Sequence, residues 1–309
     1  MSRVYASLPL TGPQGPAGRE LVRGAELALE RLREPPAELV VLDSFEQGAA
    51  ANARSAAQDG RALAYIGDFG SSDVLQSAPL LGEAGLLAVA PVATFAGLSG
   101  PTLVRLMPHD GVGARAIADW LAEAGVGEVL VLHDHDEGYG VPVGRMCVDA
   151  ARERGLAVRS RPVWDHDEPP AADLGDAQAV LYVGVAGSGA AAMWSDLHEL
   201  RPELWLLGTE GVAQEWLARE LDPAAAERTR LFLAERAPYG FYGFEAMSLV
   251  LDSIEQAGND RQAVVRAARG TRDRDSILGR YSIDADGHTT TTAYGRFAVA
   301  GGELVWDAG

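Results

Sequence analysis

Seven apolar runs of strand length, most of them separated by stretches of helical periodicity, constrain this chain more than any other feature. The runs occupy residues 4–10, 39–42, 63–66, 86–90, 129–132, 179–183 and 204–207. A strand that is apolar throughout must be covered on both faces, so it belongs in a parallel sheet flanked by helices. The helical stretches are 19–33, 49–59, 73–83, 112–124, 141–154 and 190–200. The first is the clearest. Leu21, Ala25, Ala28, Leu29 and Leu32 fall on one face, with arginine and glutamate on the other.

The alternation has a seam. After residues 91–94 the chain runs through a short extended piece, 102–108, ending at Pro108, and a second βα series starts at Val112. Two series of similar length predict two α/β lobes, because a single eight-stranded barrel needs about 250 residues of unbroken βα units. The tail changes character instead. Helices predicted over 243–257 and 261–270 precede residues 281–286 and a turn at Asp286-Gly287. Strand-like pieces at 294–299 and 303–306 follow, joined by a tight hairpin at Gly301-Gly302. No low-complexity linker divides the chain, so the lobes are expected to share several crossings.

Composition removes several functions. A chain of 309 residues can build two cores of ordinary size, and none of its apolar runs is long enough to span a bilayer. The formal net charge is −18, from 44 acidic residues against 26 arginines and no lysine. Such a chain repels nucleic acid and anionic membrane, so neither is an expected partner. The single cysteine, Cys147, excludes an internal disulfide and any multi-cysteine metal site. It reads as a half-buried apolar residue on a helix after Pro142, with no partner to activate it as a nucleophile. Met1-Ser2-Arg3-Val4 leads straight into the first apolar run, without the basic, apolar and small-residue zones of a leader. That start fits a cytosolic protein, or one whose leader has been removed.

In parallel α/β sheets the ligand sits beyond the carboxyl ends of the strands, against helix N-termini. The residues following each strand are therefore the informative ones. Leu10-Thr11-Gly12-Pro13-Gln14-Gly15-Pro16-Ala17-Gly18 lacks the glycine spacing of a dinucleotide turn and reads as a sharp turn where backbone approaches a ligand. Gly67-Asp68-Phe69-Gly70-Ser71-Ser72-Asp73 places hydroxyls at a helix start, where they suit a carboxylate. Taken alone, Ser71 or Ser72 reads first as an N-cap. Ala90-Pro91-Val92-Ala93-Thr94 puts another hydroxyl at a strand exit, and Gly208-Thr209-Glu210-Gly211 adds a carboxylate. His133 and His135 alternate as metal ligands can, but Asp134, Asp136 and Glu137 mark a solvated loop, and no metal is expected. No GxSxG elbow is present, since Gly187-Ser188-Gly189 lacks the spacing. No catalytic residue and no cofactor is expected, and the chain does not read as an enzyme.

The motifs at these exits form an ordered set. Pro9-Leu10-Thr11-Gly12-Pro13, Arg23-Gly24-Ala25-Glu26-Leu27-Ala28, Ile66-Gly67 with Ser71-Ser72, and Ala90-Pro91-Val92-Ala93-Thr94 occur in the first half. Val131-Leu132-His133-Asp134 with Tyr139-Gly140, Gly208-Thr209-Glu210-Gly211-Val212, Tyr242-Gly243-Phe244-Glu245-Ala246, and Tyr281-Ser282-Ile283-Asp284-Ala285-Asp286-Gly287 complete it. In this order they resemble the leucine/isoleucine/valine-binding proteins, type I periplasmic binding proteins that serve ABC importers, over essentially the whole chain.

The resemblance implies an α/β fold of two Rossmann-like lobes with parallel sheets, joined by a three-crossover hinge. Lobe 1 would hold 1–107 plus 236–284, and lobe 2 would hold 108–235 plus 285–309. It implies that the lobes close like jaws on an amino acid, branched-chain or otherwise apolar, for delivery to a permease. Ser71 and Thr94 would hold the α-carboxylate, and the Val92 carbonyl would accept from the α-ammonium. Glu210 would pair with that ammonium, and Tyr139 would close over the ligand. These are donors at one end of a zwitterion and an anion at the other.

Several positions depart from the family pattern. Ala17 falls where a first-loop aromatic often stands, and a second-lobe aromatic is replaced near Val185. Phe45 and Gly70 lie at the approximate positions of a disulfide found in some members. Phe69 and Tyr239 are the candidates to line the side-chain pocket instead. The expected location is periplasmic or cell-surface. The alternative is a ligand-sensing regulator or receptor domain with the same jaws, cytoplasmic if a regulator, taking an amide, a carboxylate or an aromatic acid.

Overall fold

The computed structural model describes residues 1–135, 139–163, 171–184, 189–213, 215–234, 238–292 and 294–307. In chain order the elements begin with β1 (Ser2–Leu8), α1 (Gly15–Glu30), β2 (Ala37–Asp43), α2 (Ser44–Gln47) and α3 (Ala49–Gln58). Next come β3 (Ala62–Ile66), α4 (Ser71–Glu83), β4 (Leu87–Ala90) and β5 (Leu103–Arg105). A second series follows with α5 (Asp110–Glu123), β6 (Glu128–His133), α6 (Gly140–Glu153), β7 (Ala157–Pro162), β8 (Ala179–Val183) and α7 (Ala190–Leu200). It continues through β9 (Trp205–Gly208), α8 (Glu215–Glu220), α9 (Pro223–Glu227) and β10 (Thr229–Ala234). The chain ends with α10 (Tyr239–Ala257), α11 (Arg261–Arg269), β11 (Arg274–Ser276), β12 (Gly279–Tyr281), β13 (Tyr294–Ala300) and β14 (Glu303–Trp306).

These elements form two compact units, Met1–His109 with Arg236–Thr292, and Asp110–Glu235 with Ala293–Gly309. The chain therefore passes from one unit to the other three times. The last passage lies after Thr292 rather than near 284, for a physical reason. Arg105 donates its backbone N–H to the Gly287 carbonyl at 2.8 Å and accepts from the Thr289 N–H at 3.0 Å. Those bonds bind residues 287–289 to the β5 edge of the first unit.

The first unit carries a five-stranded sheet in the order β2-β1-β3-β4-β5, parallel throughout. Of its inner strands, β3 and β4 are wholly buried, as their unbroken apolar sequences require. Helix α1 begins at Gly15, four residues ahead of the predicted Arg19, because Pro16 is tolerated in a first turn whose N–H groups have no helical acceptor. Helix α10 likewise begins at Tyr239 rather than Gly243. The two helices cross closely through glycines. A Cβ on Gly24 would lie 1.9 Å from the Gly240 carbonyl oxygen, and one on Gly243 would lie 1.9 Å from that of Leu21.

The second unit carries a seven-stranded sheet in the order β14-β13-β10-β9-β8-β6-β7. Strands β7, β6, β8, β9 and β10 are parallel, but β13 pairs antiparallel with β10 and with β14, so this sheet is mixed where a parallel one was expected. The hairpin at Gly301 and Gly302 sets the β13–β14 pair, and the pairing of β13 with β10 adds it to the sheet. Both glycines have positive φ, and the two-residue turn returns the chain beside itself. In the two large sheets, three strands go beyond the seven apolar runs and the expected β13–β14 hairpin. β5 is the expected extended piece promoted to a fifth parallel strand. β7 is polar and mostly exposed at the sheet edge, so it carries no apolar run. β10 is buried but short, and its Leu231–Ala234 core follows directly on a charged stretch.

Candidate functional site

The residues singled out in the sequence divide between the units. Phe69, Ser71, Val92, Thr94 and Tyr239 belong to the first, and Tyr139 and Glu210 to the second.

In the first unit the turn from β3 to α4 is built on a buried polar network. Asp68 is fully buried, and its Oδ1 accepts from the Ser7 and Tyr65 hydroxyls, each at 2.8 Å. Asn52 Nδ2 in turn donates to Ser7 Oγ at 3.0 Å. Burial pushes the Asp68 carboxyl above the usual range, because the charged form loses its hydration there. The network pins the strand exit beneath Phe69 and Ser71.

Gly70, not a serine, is the N-cap of α4, and it offers no side-chain cap. Ser71 is the first helical residue, so the N-cap reading of this stretch fails and its hydroxyl is used elsewhere. Ser71 Oγ accepts the Phe95 backbone N–H at 3.2 Å. The Phe95 carbonyl accepts from Arg105 Nη1 at 2.5 Å, from a fully buried side chain on β5. The loop carrying Val92 and Thr94 is thus held from both sides. Val92 and Ala93 are buried and Thr94 is half-buried. The structure brings Ser71 and the Thr94 loop together, as it does Phe69 and Tyr239, whose ring centroids lie 5.5 Å apart at 51°. The first-loop turn makes its tight approach to a side chain. The Phe45 ring lies against Gly12, and Phe45 is otherwise 62% exposed.

In the second unit Glu210 follows β9. Its neighbours on both sides are held by one tyrosine. Tyr139 donates its hydroxyl proton to Thr209 Oγ1 at 3.1 Å and accepts the Gly211 N–H at 3.0 Å. Glu210 itself accepts from the Tyr294 hydroxyl at 3.4 Å. Asp110, Gly113, Ile117, Tyr139, Thr209 and Glu210 are among the residues around a small cavity with room for about one water-sized group. Tyr294 and Phe232 also line it. Burial and nearby carboxylates raise both tyrosine hydroxyls well above their usual range, so they stay protonated donors. Asp110, Phe232 and Tyr294 escaped the sequence reading. They come from three separate elements, α5, β10 and β13, and no local motif links them.

Cys147 lies buried on α6, and burial pushes its thiol up to about 12, which leaves it unreactive. The histidine loop lies partly outside the described residues, as does the stretch around Val185 and Gly187-Ser188. Within the described part, His133 Nδ1 is 2.8 Å from the Asp134 carbonyl oxygen. Among the described residues no three metal-ligating side chains gather. No helix among them is long and apolar enough to cross a membrane.

A family model of periplasmic binding proteins matches residues 6–199. The chain is 25% identical to the Leu/Ile/Val-binding protein homolog 3 of Brucella melitensis, over 96% of this chain and 91% of that one. Its fold is similar to that of a leucine-binding protein LivK from Thermotoga maritima, with a TM-score of 0.80 and 22% identity over 100% of this chain and 98% of the other. A solute-binding protein of an ABC transporter from Rhodopseudomonas palustris, solved with 3,4-dihydroxybenzoic acid, aligns with a TM-score of 0.74 and 17% identity over 99% and 96% of the two chains.

Proposed function

The chain belongs to the periplasmic binding protein family, and we propose that it binds an amino acid and hands it to an ABC permease. The observation that carries this reading is Glu210, a carboxylate held beside a cavity with room for about one small polar group. Such a site suits an α-ammonium, for which charge-assisted hydrogen bonds provide affinity. The first unit supplies the complement. Ser71, Thr94 and the uncapped start of α4 offer donors to an α-carboxylate, and the Val92 carbonyl offers an acceptor to the ammonium. Phe69 and Tyr239 would receive the side chain.

On this reading the first unit offers donors to an α-carboxylate, and the second offers a carboxylate to an α-ammonium. The protein binds and releases without chemistry, in keeping with an inert Cys147. Its partners are the small ligand and a permease, with no nucleic acid and no insertion into the bilayer. Its place is the periplasm or the cell surface.

Removing Glu210 tests the assignment. Glu210→Ala should cost about 3–5 kcal/mol of amino-acid binding, as when one partner of a buried charge pair is lost. Calorimetric titration reads this directly, and unchanged affinity would dismiss the ammonium role. A second reading, in which an aromatic acid is sensed or carried, is favoured by one observation, the Phe69–Tyr239 pair beside the serine turn. It predicts binding of a benzoate that is insensitive to Glu210→Ala.

A further inference from the structure

The second unit has a cavity of about 390 Å³ at the end of its sheet opposite Glu210. It lies where β6, β8, β9 and β10 begin, at the amino ends of the parallel strands, and it shares no residue with the site around Glu210. Arg201 and Arg228 both line it. Elsewhere on this unit Arg159, Arg161 and Arg230 each meet a carboxylate within 2.9 Å, as a net charge of −18 makes easy. Arg228 has no ion pair among the described residues. Arg201 approaches only Glu203, a 72% exposed side chain, at 3.9 Å.

The backbone and a ring hold the two guanidiniums instead. Arg201, which ends α7, donates to the Ala177 and Gly175 carbonyls at 2.9 and 3.0 Å. Arg228, which ends α9, lies over Trp205 with its Cζ 3.7 Å from the ring centroid, and its Nη2 donates to the Glu203 carbonyl. Its Nε is buried and has no hydrogen-bond acceptor. Burial, and then the neighbouring Arg230, hold the Arg228 guanidinium below its ordinary pKa, because its charge is poorly compensated. Gln178 turns its Oε1 to the Gly127 and Glu128 N–H groups, at 2.5 and 3.4 Å, which leaves its amide NH2 as a further donor on the wall.

We propose that this cavity is a second ligand site, for a small phosphate monoester, with Arg201 and Arg228 taking the phosphate and Glu203 the carboxylate it displaces. Planar guanidiniums present forked donors that match phosphate oxygens, and two of them match the charge of a dianion. A water takes about 30 Å³ of liquid, so the cavity leaves room for ester carbons beside the phosphate, against Val126 and Ala177. The two carboxylates on its wall, Asp176 and Glu203, are exposed, so solvent screens their repulsion. The assignment stands independently of the amino-acid reading.

Calorimetric titration of the whole chain with ethyl phosphate, inorganic phosphate and acetate tests it, at matched ionic strength and about pH 8, where the phosphates are dianions. The proteins are the unsubstituted chain, Arg201→Gln, Arg228→Gln, Glu203→Gln and, as a control on the same unit, Arg154→Gln. Ethyl phosphate should bind once per chain, more tightly than inorganic phosphate or acetate. Arg201→Gln and Arg228→Gln should each weaken it about tenfold to a hundredfold, the range for a hydrogen bond to a charged group. Glu203→Gln should tighten it about twofold to fivefold, since a competing surface charge is gone, and Arg154→Gln should leave it within about twofold. Thermal midpoints verify folding. Glu203→Gln alters an exposed side chain and keeps its carbonyl, so it decides the matter if an arginine variant does not fold. The assignment is overturned by any of four results: no saturable binding, acetate or inorganic phosphate binding as tightly as the ester, an equal loss in Arg154→Gln, or unchanged or weaker binding in Glu203→Gln.

Discussion

The two units present their candidate groups in different ways. In the first, two neighbouring strand exits are fastened to each other. Ser71 takes the Phe95 N–H, Arg105 holds the Phe95 carbonyl, and Asp68 anchors the turn from below. Short hydroxyls, a buried guanidinium and a buried carboxyl do the holding, so the surface offered is a rigid set of donors. In the second, the Glu210 carboxylate meets Tyr294 of β13, while Tyr139, at the start of α6, holds the residues on either side of it. A rigid donor set suits a carboxylate, which every acid possesses. A carboxylate suits an ammonium, which only some ligands possess. The first unit should therefore supply affinity for acids in general, and the second should supply discrimination.

Ser71→Ala sharpens this comparison most. It removes a hydroxyl from the donor set and the acceptor of the Phe95 N–H. Amino acids and amine-free acids should both weaken by about tenfold to a hundredfold, the range for a hydrogen bond to a charged group. Titration of both ligand types checks it, and a loss confined to amine-bearing ligands would erase the division between the units. A smaller effect is expected beneath the same turn. The Asp68 carboxyl is raised in the folded chain, so between the ordinary carboxylate range and that raised value the folded state keeps a proton that the unfolded state releases. Its contribution is full below about pH 4 and declines as pH rises through the raised value. Asp68→Asn keeps an acceptor for Ser7 and Tyr65 but has no proton to lose. Its unfolding free energy should fall less steeply with rising pH, as urea titrations across pH report. An unchanged slope would place the pH dependence elsewhere.

The first half was the more legible in sequence for the same reason that it is rigid. Its groups lie within short segments, 67–71 and 91–95, each directly after an apolar strand, so the strand pattern alone marks them. Glu210 and Tyr139 stood out through family resemblance, because each follows a strand with a recognisable ending. Tyr294 had no such marker. It begins a strand that the periodicity reveals, but only the antiparallel register and the bare Cα of Gly113 bring it to Glu210. The mixed second sheet was hidden likewise. The hairpin at Gly301-Gly302 was readable, while the pairing of β13 with β10 is a tertiary choice. Polar β7 was missed because an edge strand needs no apolar run.

Thermal unfolding of the unsubstituted chain against the twenty amino acids, with matched amine-free acids and small amides, tests the central claim most directly. A ligand at about a hundred times its dissociation constant adds roughly 2.7 kcal/mol, enough to raise the midpoint by several degrees. Selective shifts with a group of amino acids, larger than those of their amine-free counterparts, are the predicted result. Shifts produced only by acids that lack an amine would contradict it, leaving Ser71 and Thr94 a ligand but Glu210 none.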